Sequence, residues 1–161
     1  MIQLRPISTA DAPLLQQLYA DAKQTQFIQG AATLDPSHLL SRMLKVTQQP
    51  QPRYTYWVAI DPLTQQPFGL LSATAIDWHS SQAELGIMLL PQQQARGVAK
   101  QAFLLWMDTL MAMGIHHFYS QMHPDNHAAK RLVRQCGMTP CAAINTAHPG
   151  FYWVELKRVI P

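Results

Sequence analysis

The residues best able to do chemistry lie in one run, Leu89-Leu90-Pro91-Gln92-Gln93-Gln94-Ala95-Arg96-Gly97-Val98-Ala99-Lys100. An apolar strand stops at a proline, a polar loop follows, and a helical pattern opens at a glycine. The first turn of an α-helix carries backbone N–H groups without intrahelical partners, and with the helix dipole they form an anion site. Gly97 has no side chain to hold a ligand away from the backbone, and Arg96 and Lys100 add positive charge. A pyrophosphate suits such a site. Two other phosphate-binding designs are excluded, because neither G-x-x-x-x-G-K-S/T nor G-x-G-x-x-G occurs. Spacing alone leaves a strand–loop–helix turn that binds nothing as the alternative. Upstream, Glu84 stands on the strand leading into the loop, among apolar neighbours whose burial would raise its pKa.

The elements that must position these residues follow from hydrophobic period and turn chemistry. Residues 2–7 alternate as a short strand. Ser8 and Asp11 form a capping-box-like pair before a helical stripe of Leu14, Leu15, Leu18, Tyr19 and Ala22, which Gln29-Gly30 ends. Asp35-Pro36 reads as cap and first helical residue of a helix carrying Leu39, Leu40, Met43, Leu44 and Val46. Residues 48–53 form a loop. Strands are predicted at 54–60, 68–76 and 82–90, with short connections that make them antiparallel neighbours. A helix spans 97–113, with Ala99, Phe103, Trp106, Leu110 and Met113 on one face and Gly114 as its stop. A strand follows at 115–122, parallel to the one before the helix. His123, before Pro124, is extended. Asp125 or Asn126 caps a last helix that Gly137 ends, and two strands flank the 145–150 turn. The order is β-α-α-β-β-β-α-β-α-β-β, an α/β (α+β) chain with a mixed sheet of six to seven strands flanked by about four helices.

The 161 residues suit one domain spanning 1–161, and 48% apolar composition provides a core. A net charge of +3 without a Lys/Arg run argues against nucleic acid and is compatible with an anionic cofactor. The two cysteines, Cys136 and Cys141, lack metal-type spacing and read as reduced thiols, Cys136 in the core. No apolar run approaches the ~20 residues of a membrane span, and the start lacks a secretion signal. The expectation is a cytoplasmic protein without a metal or membrane partner, monomeric or homodimeric.

The run Gln94-Ala95-Arg96-Gly97-Val98-Ala99 resembles the GNAT acetyltransferase signature Q/R-x-x-G-x-G/A, and Leu89-x-Pro91 sits where that family places its apolar residue and proline. The run His123-Pro124-Asp125-Asn126-x-x-Ala129-x-x-Leu132-x-x-x-x-Gly137-Met138 resembles the second motif, N-x-x-A/S-x-x-L/V-x-x-x-x-G-F/M. The L-R-P-x-x-x-x-D pattern from Leu4 to Asp11 is similar to the family's opening. Ala83-Glu84-Leu85-Gly86 resembles the branch that acetylates ribosomal-protein N-termini (RimJ/RimL-like), and polyamine acetyltransferases look similar there.

The resemblance implies the GNAT fold and acetyl-coenzyme A as cosubstrate, with transfer of acetyl to a primary amine, either a protein N-terminus or a small molecule. It places the pyrophosphate on the backbone of Gln94, Ala95, Arg96, Gly97, Val98, Ala99 and Lys100. It places the pantetheine arm and thioester on main-chain groups of Met88, Leu89 and Leu90, with Asn126 bonding the pantetheine side. The fold would splay the sheet between the strand ending at Leu90 and the strand at 115–122, leaving a slot. Amine attack on a thioester needs a base, a donor for the carbonyl oxygen and an acid for the thiolate. Glu84 is the candidate base, through water or directly. His79 and His123 are further candidates, each with a loop or strand-end role as the alternative. Two positions depart from the family pattern. Val133 stands where a tyrosine acid is common, seven residues after Asn126, and Gln121 stands where some N-terminal acetyltransferases have glutamate. These departures motivate an alternative, an acyl-CoA-binding module without turnover. The tryptophans, Trp57, Trp78, Trp106 and Trp153, read as core or slot walls. The acceptor side would come from the 22–51 region and the 145–150 turn, where Asp21 and Asp35 are too few to favour a highly cationic polyamine.

Overall fold

The computed structural model describes residues 1–28, 30–94 and 97–159. Of the positions singled out above, Gln29, Ala95 and Arg96 lie outside these residues. The described residues form a seven-stranded sheet in the order β1-β2-β3-β4-β5-β7-β6. The strands are β1 (Gln3–Pro6), β2 (Thr55–Ile60), β3 (Pro67–Asp77), β4 (Gln82–Leu89), β5 (His117–Met122), β6 (Thr139–Pro140) and β7 (Tyr152–Lys157). The helices are α1 (Ala12–Ala20), α2 (Ala22–Thr25), α3 (Pro36–Thr47), α4 (Val98–Ala112) and α5 (His127–Gln135). Strands β1 to β4 are antiparallel neighbours, β4 and β5 are parallel across α4, and β7 is antiparallel to both β5 and β6. The architecture is the α/β mixed sheet expected from the sequence.

Two details differ. The first helix does not reach Ala22: Asp21 adopts an extended conformation, and its side chain accepts from the Lys23 N–H. Asp21 thereby caps a separate one-turn helix, α2, because a short carboxylate competes for local N–H groups. The strand predicted at 115–122 starts only at His117, since His116 and His117 both donate to the Ser81 carbonyl before the ladder begins. Asp35 caps α3 as expected, with Pro36 in its first turn, and Asn126 rather than Asp125 caps α5.

Helix α4 buries Phe103, Trp106, Met107 and Leu110 against the sheet, and α1 buries Leu14, Leu15 and Leu18. The Trp106 indole N–H has no access to water, and it donates to the Ser72 carbonyl at 3.0 Å. That bond satisfies a donor whose burial would otherwise be costly. Gly86 lies across from Ser72 in the β3–β4 ladder. A Cβ at Gly86 would sit 2.7 Å from Ser72 Oγ, so the strand pair admits only glycine there without a shift.

The β1–α1 corner is fixed by one buried carboxylate. Asp11 is fully buried. It accepts from both Arg5 guanidinium nitrogens at 2.8 Å, from the Ser8 N–H at 2.7 Å and from the Ser8 hydroxyl at 3.2 Å. A bidentate arginine and a backbone donor on one carboxylate are charge-assisted bonds of the stronger kind. An asparagine at position 11 would turn an N–H2 toward Arg5 or Ser8 and lose part of this set. D11N should therefore lower stability by about 2–3 kcal/mol in denaturant unfolding, with the slope of the transition unchanged.

Candidate functional site

The site begins where β4 and β5 stop pairing. Their parallel ladder holds at three positions, Gln82↔His117, Ala83↔Phe118 and Glu84↔Tyr119. The Ser120 hydroxyl adds a last link to the Leu85 carbonyl at 2.9 Å. Beyond it β4 continues along β3 as far as Gly69↔Leu89, and β5 continues along β7 as far as Met122↔Tyr152. The strands thus part while each keeps its other neighbour. The gap is a cleft of about 390 Å³.

Backbone direction alternates along a strand. The Leu90 N–H donates to the Phe68 carbonyl, so Leu90 and, by alternation, Met88 turn their peptide groups toward β3. Leu85, Ile87 and Leu89 turn theirs toward the gap. At Leu89 the edge is closed by side chains. The Leu89 N–H donates to Gln24 Oε1 at 3.2 Å, Gln24 Nε2 donates to the Leu89 carbonyl, and Gln94 Nε2 donates to the same carbonyl at 3.0 Å. The Gln24 amide stands in for a neighbouring peptide. Between this clamp and the Ser120 link, no strand among the described residues pairs with Ile87 on the open edge.

One end of the cleft meets the start of α4. Gly97 precedes the helix at φ +70°, a left-handed conformation that favours glycine, and among the described residues no side-chain cap bonds the first turn. A Cβ at Gly97 would meet nothing within 4 Å. The glycine is thus required by its backbone angle, and the space in front of it is open. Ala99 lines the cleft, and Val98 and Lys100 share the same turn without lining it. The first-turn N–H groups can receive an anion here. Asn126 lines the opposite wall, where its Oδ1 accepts from the Ala129 N–H at 3.1 Å as the α5 cap. Only its amide N–H groups are left to donate. Val133 and Leu132 complete the apolar side of that wall, and Val133 is buried.

At the far end, Gln121 Nε2 donates to Glu84 Oε1 at 2.8 Å. Glu84 is partly buried. Burial pushes its pKa above the ordinary carboxylate value, opposed by the Gln121 bond and by nearby His148. Gln121 lines the cleft while Glu84 does not, so the carboxylate stands one side chain behind the wall. A second cavity of about 400 Å³ adjoins the first. Phe27, Ile28, Gln121 and Phe151 line both, and His148 lines the second only. Phe27 stacks on His123 with centroids 5.2 Å apart, and His148 stacks on Phe151 at 4.8 Å.

Of the sequence-derived residues, Met88, Leu89, Gln94, Ala99 and Asn126 line the cleft, but the main-chain groups expected to face it do not lie open there: the Met88 peptide turns to β3, and the Leu89 N–H and carbonyl are taken by Gln24 and Gln94. Leu90 does not line it: its side chain is buried and its N–H belongs to β3. His79 is exposed and lines neither cavity, and its N–H is taken up by Asp77 in a turn. His123 lines the cleft as part of the ring cluster. Sequence reasoning missed Gln24, Phe27, Ile28 and Phe151 as individual residues. They arrive from segments without a period or motif, and only the general placement of the acceptor side in 22–51 and 145–150 pointed toward them. His117 bonds Glu155 at 3.1 Å and Tyr119 at 3.2 Å, a polar cluster between β5 and β7 that the sequence did not suggest. Among the described residues no three His, Cys, Asp or Glu side chains gather as metal ligands, and no helix is long and apolar enough to cross a membrane.

Comparison with known proteins gives this geometry a family. The acetyltransferase (GNAT) domain family matches residues 2–139. No curated protein sequence matches the chain. Among solved structures, a spermidine N-acetyltransferase from Vibrio cholerae, in complex with CoA and spermine, superposes with a TM-score of 0.82 at 17% identity, over 97% of this chain and 95% of that one. RimL, a ribosomal L7/L12 alpha-N-protein acetyltransferase in complex with coenzyme A, gives 0.82 at 18% identity over 97% and 93%. The ribosomal-protein-S5-alanine acetyltransferase from Vibrio fischeri gives 0.74 at 15% identity over 97% and 92%. At these identities the likeness is one of fold. The family match, which covers the parted strands and both helix starts, carries the assignment: the chain belongs to the GNAT family of acetyltransferases.

Proposed function

We propose that residues 1–161 act as one acetyltransferase domain that passes acetyl from acetyl-coenzyme A to a primary amine, in the cytoplasm, with Glu84 as the base. The observation that carries this reading is the cleft itself. An uncapped helix start lies at one end, an open strand edge runs along its side, and a raised-pKa carboxylate stands behind its far wall.

The cleft fits the donor. First-turn amides of α4 at Val98, Ala99 and Lys100 would receive the diphosphate, with Lys100 adding charge and Gly97 leaving the approach clear. Ala95 and Arg96 would extend that cradle. The Ile87 peptide faces the gap with one N–H and one C=O, the complement of an amide-bearing arm, and the Asn126 amide can donate from across the cleft. Bound there, acetyl-coenzyme A supplies an electrophilic thioester carbonyl. A strand N–H directed at the carbonyl oxygen stabilises charge that develops there.

The acceptor enters from the second cavity, since Gln121 joins the two. The neutral amine forms the new C–N bond as the C–S bond breaks. The amine's proton passes to the Glu84 carboxylate across a water, because Glu84 stands behind Gln121. The thiolate leaves and takes a proton from solvent, as Val133 offers none. The branch resembled by Ala83-Glu84-Leu85-Gly86 makes a protein N-terminus one form of acceptor and a small amine the other.

Two outcomes test this. A base must be ionised, so activity should fall as pH drops through a Glu84 pKa lying above the ordinary carboxylate range. In E84Q the limb should vanish and kcat/KM should drop about 100-fold or more, read as amine-dependent thiol release. Because the shift is upward, ionised Glu84 opposes folding at neutral pH, so the melting temperature of E84Q should stay level or rise. In G97A the positive φ costs about 1–2 kcal/mol of stability and the new methyl enters the space before α4. Titration calorimetry should show coenzyme A affinity at least tenfold weaker, about 1.4 kcal/mol. An unchanged affinity would remove α4 from the diphosphate site.

A further inference from the structure

The free rung at Ile87 has an occupied neighbour. Ile87 and Leu89 are consecutive peptides facing the gap, about 6.6 Å apart along the strand. A donor with its diphosphate at the start of α4 and its thioester near Ile87 must run past Leu89. There the Gln24 carboxamide already holds the edge. Its Oε1 accepts from the Leu89 N–H at 3.2 Å, and its Nε2 donates to the Leu89 carbonyl. The arm of acetyl-coenzyme A carries secondary amides, which offer the same pairing of N–H and C=O. Side chain and arm therefore compete for one rung.

Gln24 sits on a weakly anchored piece of chain. Helix α2 is a single turn with no buried residue. Two nearby side-chain bonds stay within residues 21–26: Thr25 Oγ1 donates to the Asp21 carbonyl at 3.1 Å, and Gln26 Nε2 donates to the Lys23 carbonyl at 2.9 Å. Among the described residues, Gln24 is the one side chain of α2 that hydrogen-bonds another element. A segment with few buried contacts opens at low cost. Its departure does not strip the strand, because Gln94 Nε2 still donates to the Leu89 carbonyl at 3.0 Å. The Leu89 N–H is then free for a carbonyl of the arm. Just beyond α2, Phe27 and Ile28 line both cavities, and Phe27 stacks on His123. A movement of α2 thus reaches the wall shared by donor and acceptor.

We propose that Gln24 is a placeholder for the donor arm. In the free protein its amide occupies the Leu89 rung. Arriving acetyl-coenzyme A displaces it, releases residues 22–28 and resets the Phe27 and Ile28 wall of the acceptor cavity. The donor binds first, and the acceptor side takes its working shape only with the donor in place. This rests on the donor site argued above. A tethered competitor lowers donor affinity in proportion to the time it holds the rung.

Titration calorimetry with coenzyme A gives the first test. Q24A removes the competitor without straining a helical turn, and it should bind coenzyme A at least threefold more tightly than wild type. Equal or weaker binding overturns the proposal. Q26A loosens the same segment but leaves the rung occupied, and it should stay within twofold of wild type. An equal gain in Q26A would assign the effect to a softer segment and overturn the placeholder. The second test needs no variant. The Gln24 carboxamide resonances of wild-type protein, assigned through the backbone, should lose their hydrogen-bonded shift and exchange faster with water on saturation with coenzyme A. The Leu89 N–H should stay protected in both states. A carboxamide unmoved in the saturated complex overturns the proposal. The His123 ring protons report the Phe27 ring stacked at 5.2 Å. In free Q24A they should move toward unstacked positions, and no movement would overturn the link to the acceptor wall. If coenzyme A gives neither heat nor shifts with wild type or Q24A, the donor site itself is wrong and the placeholder falls with it. If coenzyme A binds and Gln24 alone fails to respond, the donor site stands and the placeholder is lost.

Discussion

The structure depends on two parallel strands that part in the middle of a sheet. A ladder that opens exposes backbone groups which must find other partners, because an unpaired buried peptide costs as much as a lost hydrogen bond. The chain confines the opening to a few residues. Ser120 ties off the Leu85 carbonyl, and Gln24 with Gln94 ties off Leu89. What stays open is the Ile87 peptide between them, beside a cleft whose floor includes Ala99 and Phe103 of α4 and Leu132 and Val133 of α5. The opening is therefore short, flanked by paired groups and pointed at an apolar floor.

The same connectivity that opens the sheet supplies the site's polar ends. Helix α4 follows β4 and α5 follows β5, so both helices begin at the end of the sheet where the strands have parted. One start, at Gly97, has no side-chain cap among the described residues, and the other is capped by Asn126 from its own side chain. An uncapped start keeps its amides for an anion, whereas the capped one uses its oxygen internally and keeps N–H groups outward. At the opposite end the strands are still joined, and there Glu84 and Gln121 pair across the fork. The helix starts and the Glu84–Gln121 pair are thus separated along one cleft by the geometry of a single divergence, and the proposed donor grip and proposed base are separated with them.

Much of this was legible in the residues. Local signals were strong wherever a single element carried the information: the glycine opening α4, the Asn126 motif, the Asp35-Pro36 helix start and the apolar surroundings of Glu84. The sequence did less well where the answer depended on which side a strand presents. The resemblance groups Met88, Leu89 and Leu90 as one ligand set, yet alternation sends Leu89 to the gap and Met88 and Leu90 to β3, and that parity is fixed only once the partner strands are known. Gln24 was invisible because its amide reaches a peptide 65 residues away. The capping effect of Asp21, which divides the first helical stretch, was masked by an apolar pattern that runs through it. Gln121 registered only as a departure from a family pattern, because its bond to Glu84 is a property of packing and not of sequence.

The central claim is that the open β4 edge is a binding edge for the donor, with the Ile87 peptide as its free rung. Amide hydrogen exchange followed by NMR, with and without saturating acetyl-coenzyme A, measures this directly. The account predicts that the Ile87 N–H becomes markedly protected on binding, while the amides of Met88 and Leu90, already paired with β3, change little. Unchanged exchange at Ile87 in a saturated complex would contradict it, whatever the affinity.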